Sequence, residues 1–148
     1  MRKRIFRGKR LDNGEWVLSG SIIRFNPENG EELFYIPSAH DACTCVHDAD
    51  GNILSFEKGT FYKVDPESVG EFAGQTDCCG DNMFDGDIVY YEAEDINGVI
   101  QWDDDTSLFA ICFDGWMTDF DHMYGHELMV IGNIHDNPEL LSGKEGDL

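Results

Sequence analysis

Two neighbouring runs decide the fold: Gly86-Asp87-Ile88-Val89-Tyr90-Tyr91 and, after a turn, Gly98-Val99-Ile100-Gln101-Trp102. Each opens on a glycine and continues through β-branched and aromatic residues, the composition that strands favour. The residues between them, including Asn97-Gly98, have the chemistry of a tight turn, where Asn and Gly tolerate positive φ. The pair reads as two strands joined by a short connection.

The same punctuation continues outward. Asp12-Asn13-Gly14, Pro27-Glu28-Asn29-Gly30, Asp50-Gly51 and Asp114-Gly115 separate apolar or alternating segments. Those segments are residues 15–25, 32–36, 53–56, 60–64, 87–92, 99–102, 108–113 and 128–134, most of them four to seven residues long. No segment holds a long apolar period of 3.6 residues, so helix is expected to be scarce. Two short helical turns are expected, at Asp65-Pro66-Glu67 and Asn137-Pro138-Glu139, each a capping side chain followed by proline. The predicted class is mostly β: short antiparallel strands around a barrel-like core. The Gly-Asp bend into an apolar strand resembles small SH3-like barrels, an analogy of fold and not of function. The predicted organisation is an N-terminal β-hairpin region at 1–64, a C-terminal barrel-like region at 65–138 and a tail at 139–148, within one compact unit.

The charge is uneven. The 148 residues carry 10 Lys+Arg against 30 Asp+Glu, a formal net charge of −20. Arg2, Lys3, Arg4, Arg7, Lys9 and Arg10 stand in the first ten positions, whereas residues 64–143 hold 19 acids and no Lys or Arg. Such a balance disfavours general nucleic-acid binding, which relies on neutralising phosphates. It fits a solvated surface paired with its own basic opening strand, an anionic face that steers a basic partner, or bound divalent cations at adjacent carboxylates such as Asp103, Asp104 and Asp105. With 41% hydrophobic residues the chain has the means to bury a core, and no apolar run is long enough for a helical membrane span. No apolar stretch follows the charged N-terminus, so no signal peptide is expected.

The five cysteines, Cys43, Cys45, Cys78, Cys79 and Cys112, are odd in number and include a vicinal pair. That pattern fits free thiols in a reducing cytoplasm, not a secreted disulfide framework. His40, Cys43, Cys45 and His47 cluster, and strand alternation would put Cys43, Cys45 and His47 on one face. Their spacing matches no standard zinc motif, and small buried cysteines on a core face are the plainer reading. Cys78-Cys79 lies in a polar Gly-Asp loop and is expected to be an exposed thiol pair. His122 and His126 lack the H-E-x-x-H arrangement, and Asp48-Ala49-Asp50-Gly51-Asn52 departs from the calcium-loop template at its glycine and its twelfth position. No phosphate-binding loop, dinucleotide fingerprint or nucleophile elbow occurs. Enzyme chemistry has no motif here, and no catalytic residue, resident metal or cofactor is assigned. Trp16, Trp102 and Trp116 read as core aromatics first and partner anchors second.

Three stretches in order resemble the YopX-type phage proteins. They are Arg4-Ile5-Phe6-Arg7-Gly8-Lys9-Arg10 with Asn13-Gly14-Glu15-Trp16-Val17, Val64-Asp65-Pro66-Glu67-Ser68-Val69-Gly70-Glu71-Phe72-Ala73-Gly74 with Phe84-Asp85-Gly86-Asp87-Ile88-Val89, and Val130-Ile131-Gly132-Asn133-Ile134-His135-Asp136-Asn137-Pro138-Glu139-Leu140-Leu141. The resemblance runs from about residue 4 to 141. It implies a mostly β protein of a bacteriophage or prophage, made in the bacterial cytoplasm, with no activity or functional residue to carry over. At Cys78-Cys79-Gly80-Asp81-Asn82 the chain departs from the lysine-rich loop usual in that family. The motif residues also have structural readings: Gly70 and Gly74 as turns or close approaches, Asp85-Gly86-Asp87 as a turn into a strand, and Asn133, Asp136 and Asn137 as caps.

The expected function is that of a non-enzymatic accessory protein, a β-rich interaction module with an anionic surface. Its expected partner is a host or phage protein, with basic character favoured by the charge, and self-association into a homo-oligomer is kept open. Direct nucleic-acid contact is disfavoured and no membrane role is expected. The alternatives are an acidic DNA mimic, a nucleic-acid accessory protein working through its basic opening strand, and a metal protein built on Cys43, Cys45 and His47 or on Asp103–Asp105.

Overall fold

The computed structural model describes residues 4–25, 33–38, 43–50, 53–120 and 125–141. It is mostly β, with antiparallel pairing throughout, and falls into two units, Met1–Glu71 and Phe72–Leu148. No helix among the described residues is long and apolar enough to cross a membrane.

In the first unit β1 (Phe6–Lys9) and β2 (Trp16–Ser19) form a hairpin in which Gly8 faces Val17 and Lys9 faces Trp16. The Asp12-Asn13-Gly14 turn closes it: Arg10 N–H donates to the Glu15 carbonyl at 2.8 Å, and Gly14 sits at φ 75°. β3 (Ile23–Phe25), β4 (Leu33–Pro37) and β7 (Phe61–Val64) make a three-stranded sheet. β5 (Thr44–His47) and β6 (Ile53–Lys58) make a separate hairpin. Ile36 and Val64 are fully buried. Val64 lies so close to Gly8 that an added Cβ would meet its side chain at 2.9 Å, so only glycine lets β1 approach there. The expected turn at Asp65 is a 3-10 turn, Pro66–Ser68, whose cap is the Asp65 carboxylate accepting the Glu67 amide at 3.1 Å. Ser68 stitches that turn to β1, its hydroxyl accepting the Lys9 amide at 2.8 Å and donating to the Asp65 carbonyl at 2.6 Å.

β8 (Gly70–Thr76) straddles the division. Its Gly70 and Glu71 pair with Arg7 and Phe6 in the first unit, while its Phe72 and Thr76 pair with Phe84 and Asn82 of β9 (Asn82–Phe84) in the second. The second unit is built on one five-stranded sheet in the order β13-β12-β11-β10-β14. Its strands are β10 (Asp87–Tyr91), β11 (Ile96–Asp103), β12 (Leu108–Phe113), β13 (Trp116–Asp119) and β14 (Leu128–Asn133). Among the described residues this pairing is open, with β13 and β14 as edges, and does not close into a barrel. The core joins Met83, Val89, Ile100, Ile111, Phe113, Phe120 and Leu128. Gly98 is required beneath it: an added Cβ would lie 2.8 Å from both Ile111 and Phe113.

The corner at Phe84-Asp85-Gly86-Asp87 is tightly bonded. Gly86, at φ 93°, donates to the Ile100 carbonyl at 2.7 Å, and its own carbonyl accepts the Ile134 amide at 2.9 Å. The Asp87 carboxylate, only 2% exposed, accepts the Phe84 amide at 2.8 Å. The register shifts between Ile88 and Val89, where Ile131 is the extra residue of a bulge in β14.

Candidate interaction surface

The expected site residues are scattered. Cys43 precedes β5, with its thiol donating to the Thr60 carbonyl at 3.3 Å, and Cys45 is half-buried within β5. Register shifts between Thr44 and Cys45 and between Val46 and His47 interrupt the strict alternation on which a single-face placement rests. The His47 side chain, His40 and His122 lie outside the described residues, as do Gly51, Asn52 and residues 27–30 and 142–148. The Asp48 carboxylate accepts the Asp50 amide at 2.9 Å, a local turn contact. Asp103 likewise caps its own turn, accepting the Asp105 amide at 3.0 Å and the Thr106 hydroxyl at 3.1 Å. Among the described residues no group of three or more His, Cys, Asp or Glu side chains is placed to hold a metal ion.

In the first unit the opening arginines are engaged within the unit. Arg4 donates to Glu71 at 3.2 Å, and Arg10 reaches both oxygens of Asp12 at 2.9 and 2.6 Å. Arg4, Arg7 and Arg10 also stand over the rings of Phe6, Trp16 and Tyr62 at 5.5, 4.8 and 4.4 Å. Arg4, Arg7 and Arg10 are thus tied to aromatic or acidic neighbours of their own unit.

The second unit presents the more distinctive surface. Trp102 and Trp116 are not core aromatics: they are 42% and 43% exposed. Trp102 packs edge-on against Phe109 at 5.1 Å, and Trp116 stacks on Phe113 at 4.4 Å, so each half-exposed indole is held by one ring neighbour. The Asp114-Gly115 turn, with Gly115 at φ 84°, places Trp116 opposite Phe113 at the start of the edge strand. Leu108 and Met117 are exposed nearby in β12 and β13. A cleft of about 430 Å³ opens beside Trp116, walled by Val99, Cys112, Leu140 and Leu141 and rimmed by Glu94 and Asp114. Its outer wall, the short helical turn at 139–141, is held to β11 by Asn97, whose amide donates to the Leu140 carbonyl at 3.2 Å.

The closing motif builds that wall. Asn133 accepts the His135 and Asp136 amides at 3.0 and 2.9 Å and so caps the bend at 134–136. Asn137 instead turns back: its side-chain oxygen accepts the Asn133 amide at 3.3 Å and lies against Gly132, where an added Cβ would meet it at 2.6 Å. Burial, with a lesser push from Asp103, raises the pKa of the Cys112 thiol, whose proton goes to the Gln101 side chain at 3.5 Å. It is an apolar wall element at neutral pH.

A second feature is the turn that follows β8. The Asp77 carboxylate is 6% exposed and accepts three backbone amides, those of Cys79, Asp81 and Val130, each at 2.9 Å. Burial alone would raise its pKa, but these amides outweigh it and hold the pKa below the ordinary aspartate value. The turn therefore rests on an ionised pedestal, with Cys78 and Cys79 exposed on it as expected.

These features define an antiparallel β protein of two units, whose second unit carries the half-exposed indoles of Trp102 and Trp116. Residues 6–142 match the model of one family, YopX protein, and the chain belongs to the YopX family. Among solved structures it is similar to protein EF1440 from Enterococcus faecalis, known from its crystal structure. That likeness, with a TM-score of 0.58 and 21% identity, covers 95% of this chain and 99% of the other and is one of fold. None of the curated proteins compared with the chain matches it.

Proposed function

We propose that the chain is a phage- or prophage-encoded accessory protein of the bacterial cytoplasm that works by binding and not by catalysis. Its partner is a basic host or phage protein, seated on the acidic, indole-bearing face of the second unit. The observation that carries this reading is the cleft beside Trp116. Apolar wall residues and a half-exposed indole meet Glu94 and Asp114 there, within a stretch from 64 to 143 that contains no cationic Lys or Arg. An exposed aromatic supported on one side is the usual anchor of a protein interface, while rim carboxylates steer a basic partner and reject acidic ones. Five free thiols are in keeping with a reducing compartment.

The arginine contacts within the first unit weigh against the alternative of nucleic-acid binding through the opening strand, because Arg4 and Arg10 already face carboxylates. Affinity capture from a host lysate at low and moderate salt tests the proposal. The expected result is a basic partner retained at low salt and weakened as salt rises. Capture of acidic partners only, or retention indifferent to salt, overturns it.

A further inference from the structure

The turn after β8 carries a feature that partner binding does not use. Cys78 and Cys79 are adjacent in sequence and both exposed, and their sulfurs lie 3.7 Å apart. Side chains of adjacent residues in extended backbone usually diverge, since successive Cβ atoms point to opposite faces. Here the turn brings them together. Its backbone is fixed by the Asp77 carboxylate on the Cys79 and Asp81 amides, and by the Cys78 amide donating to the Leu128 carbonyl at 3.0 Å. Gly80 at φ 85° lets the chain reverse, with its amide on the Asp77 carbonyl at 3.1 Å. The two thiols stand together on a pre-formed support.

The spacing favours a bridge through a third atom over a direct disulfide. A disulfide needs sulfurs at about 2.05 Å and Cα atoms usually at about 4.4–6.8 Å, whereas neighbouring Cα atoms across a trans peptide are only about 3.8 Å apart. Two sulfurs bonded to one third atom at about 2.3 Å stand about 3.2–3.8 Å apart over bond angles of about 90–110°, so the observed 3.7 Å needs at most a small side-chain rotation. A four-coordinate metal would still lack protein donors, because no third His, Cys, Asp or Glu completes the site among the described residues. The donor set therefore suits a centre that takes two sulfurs and fills its remaining valence itself.

We propose that Cys78 and Cys79 form a bidentate dithiol site for a thiophilic trivalent centre of the monosubstituted arsenical class. The step is a condensation without electron transfer. An arsenic(III) oxide R–As=O forms two As–S bonds, and the two thiol protons leave with its oxygen as one water. Counted from two neutral thiols, the condensation releases no net proton. The raised pKa of Cys78, caused first by its contact with the Cys79 thiol, then by desolvation and by the charges of Cys79 and Asp77, keeps the resting pair protonated, and each attack passes through the minor thiolate. The product adds no negative charge beside Asp77 and Asp81. The two sulfurs act as one chelate, which a monothiol displaces poorly, for the effective-concentration reason that makes any bivalent attachment outlast a monovalent one.

The test uses the full chain, reduced with a phosphine, and phenylarsine oxide as the probe. Intact-mass spectrometry is expected to show one phenylarsenic group per chain, retained against excess monothiol and removed by a small dithiol. Cys78→Ser and Cys79→Ser should each abolish retention, with unchanged far-ultraviolet circular dichroism. Cys43→Ser, Cys45→Ser and Cys112→Ser should leave it intact. Retention that survives either vicinal substitution, an adduct that maps to Cys43 and Cys45, or ready displacement by monothiol would each overturn the assignment.

Discussion

The Asp77 carboxylate accepts the Val130 amide at 2.9 Å, a contact between the turn after β8 and a strand 53 positions further along the chain. Together with its bonds to the Cys79 and Asp81 amides, it makes one buried side chain the clasp of the second unit. Removing it would leave the half-buried Val130 amide without its acceptor, while the amides of the exposed residues Cys79 and Asp81 can turn to water. Asp77→Ala is therefore expected to destabilise the protein by about 1–3 kcal/mol, with Asp77→Asn intermediate, as measured by chemical denaturation.

The same group sets part of the acid response. Its pKa is lowered in the folded chain from an ordinary value of 3.8, so the folded state gains from its ionisation. That contribution is fully present above 3.8 and is lost as pH falls through the depressed folded value. Denaturation midpoints of the wild type should fall with pH in that acid range, and Asp77→Asn should show a shallower fall. Parallel curves would contradict the clasp.

Gly98 and Gly80 separate two reasons for glycine. Gly98→Ala places a methyl 2.8 Å from Ile111 and Phe113 in the core and should cost about 1–3 kcal/mol through overpacking. Gly80→Ala meets open space and suffers only from its positive φ, so it should cost about 1 kcal/mol. Comparing the two denaturation curves checks the order.

Tyr90 reports on the turn between β10 and β11. Its hydroxyl donates to Asp95 at 2.7 Å, and that bond, with partial burial and the charges of Asp95 and Glu92, raises its pKa. Ultraviolet difference titration of the wild type against Tyr90→Phe should show Tyr90 ionising later than an ordinary phenol, and Asp95→Asn should bring it back down.

Much of the second unit was legible from sequence, because Ile88-Val89-Tyr90-Tyr91, Leu108–Phe113 and the turn residues between them combine strand propensity with glycine punctuation. β12 runs Leu108–Phe113 as expected, and both proline-led helical turns are present. The run at 15–25 breaks into β2 and β3 around Gly20. β8 was missed because Gly70 and Gly74 weaken its local preference. Its strand state comes from pairing with β1 and β9, a long-range cause that no local pattern records. The exposure of Trp102 and Trp116 was misread for a related reason. Apolar character alone does not say which edge of a sheet a residue occupies, and Trp116 lies on β13, an edge strand whose four residues follow a two-residue turn. The vicinal thiols were legible as exposed, but their shared support on Asp77 depends on Val130 and Leu128, far along the chain.

The central claim is that a basic partner seats beside Trp116 on the second unit, and the dissociation constant of the captured partner measured against salt tests it most directly. The account predicts affinity that weakens steadily as ionic strength rises from about 50 to 300 mM. Glu94→Gln with Asp114→Asn should flatten that slope, and Trp116→Ala should weaken binding roughly tenfold or more while changing stability little. Affinity unmoved by salt, and equal in the wild type and Trp116→Ala, would contradict it.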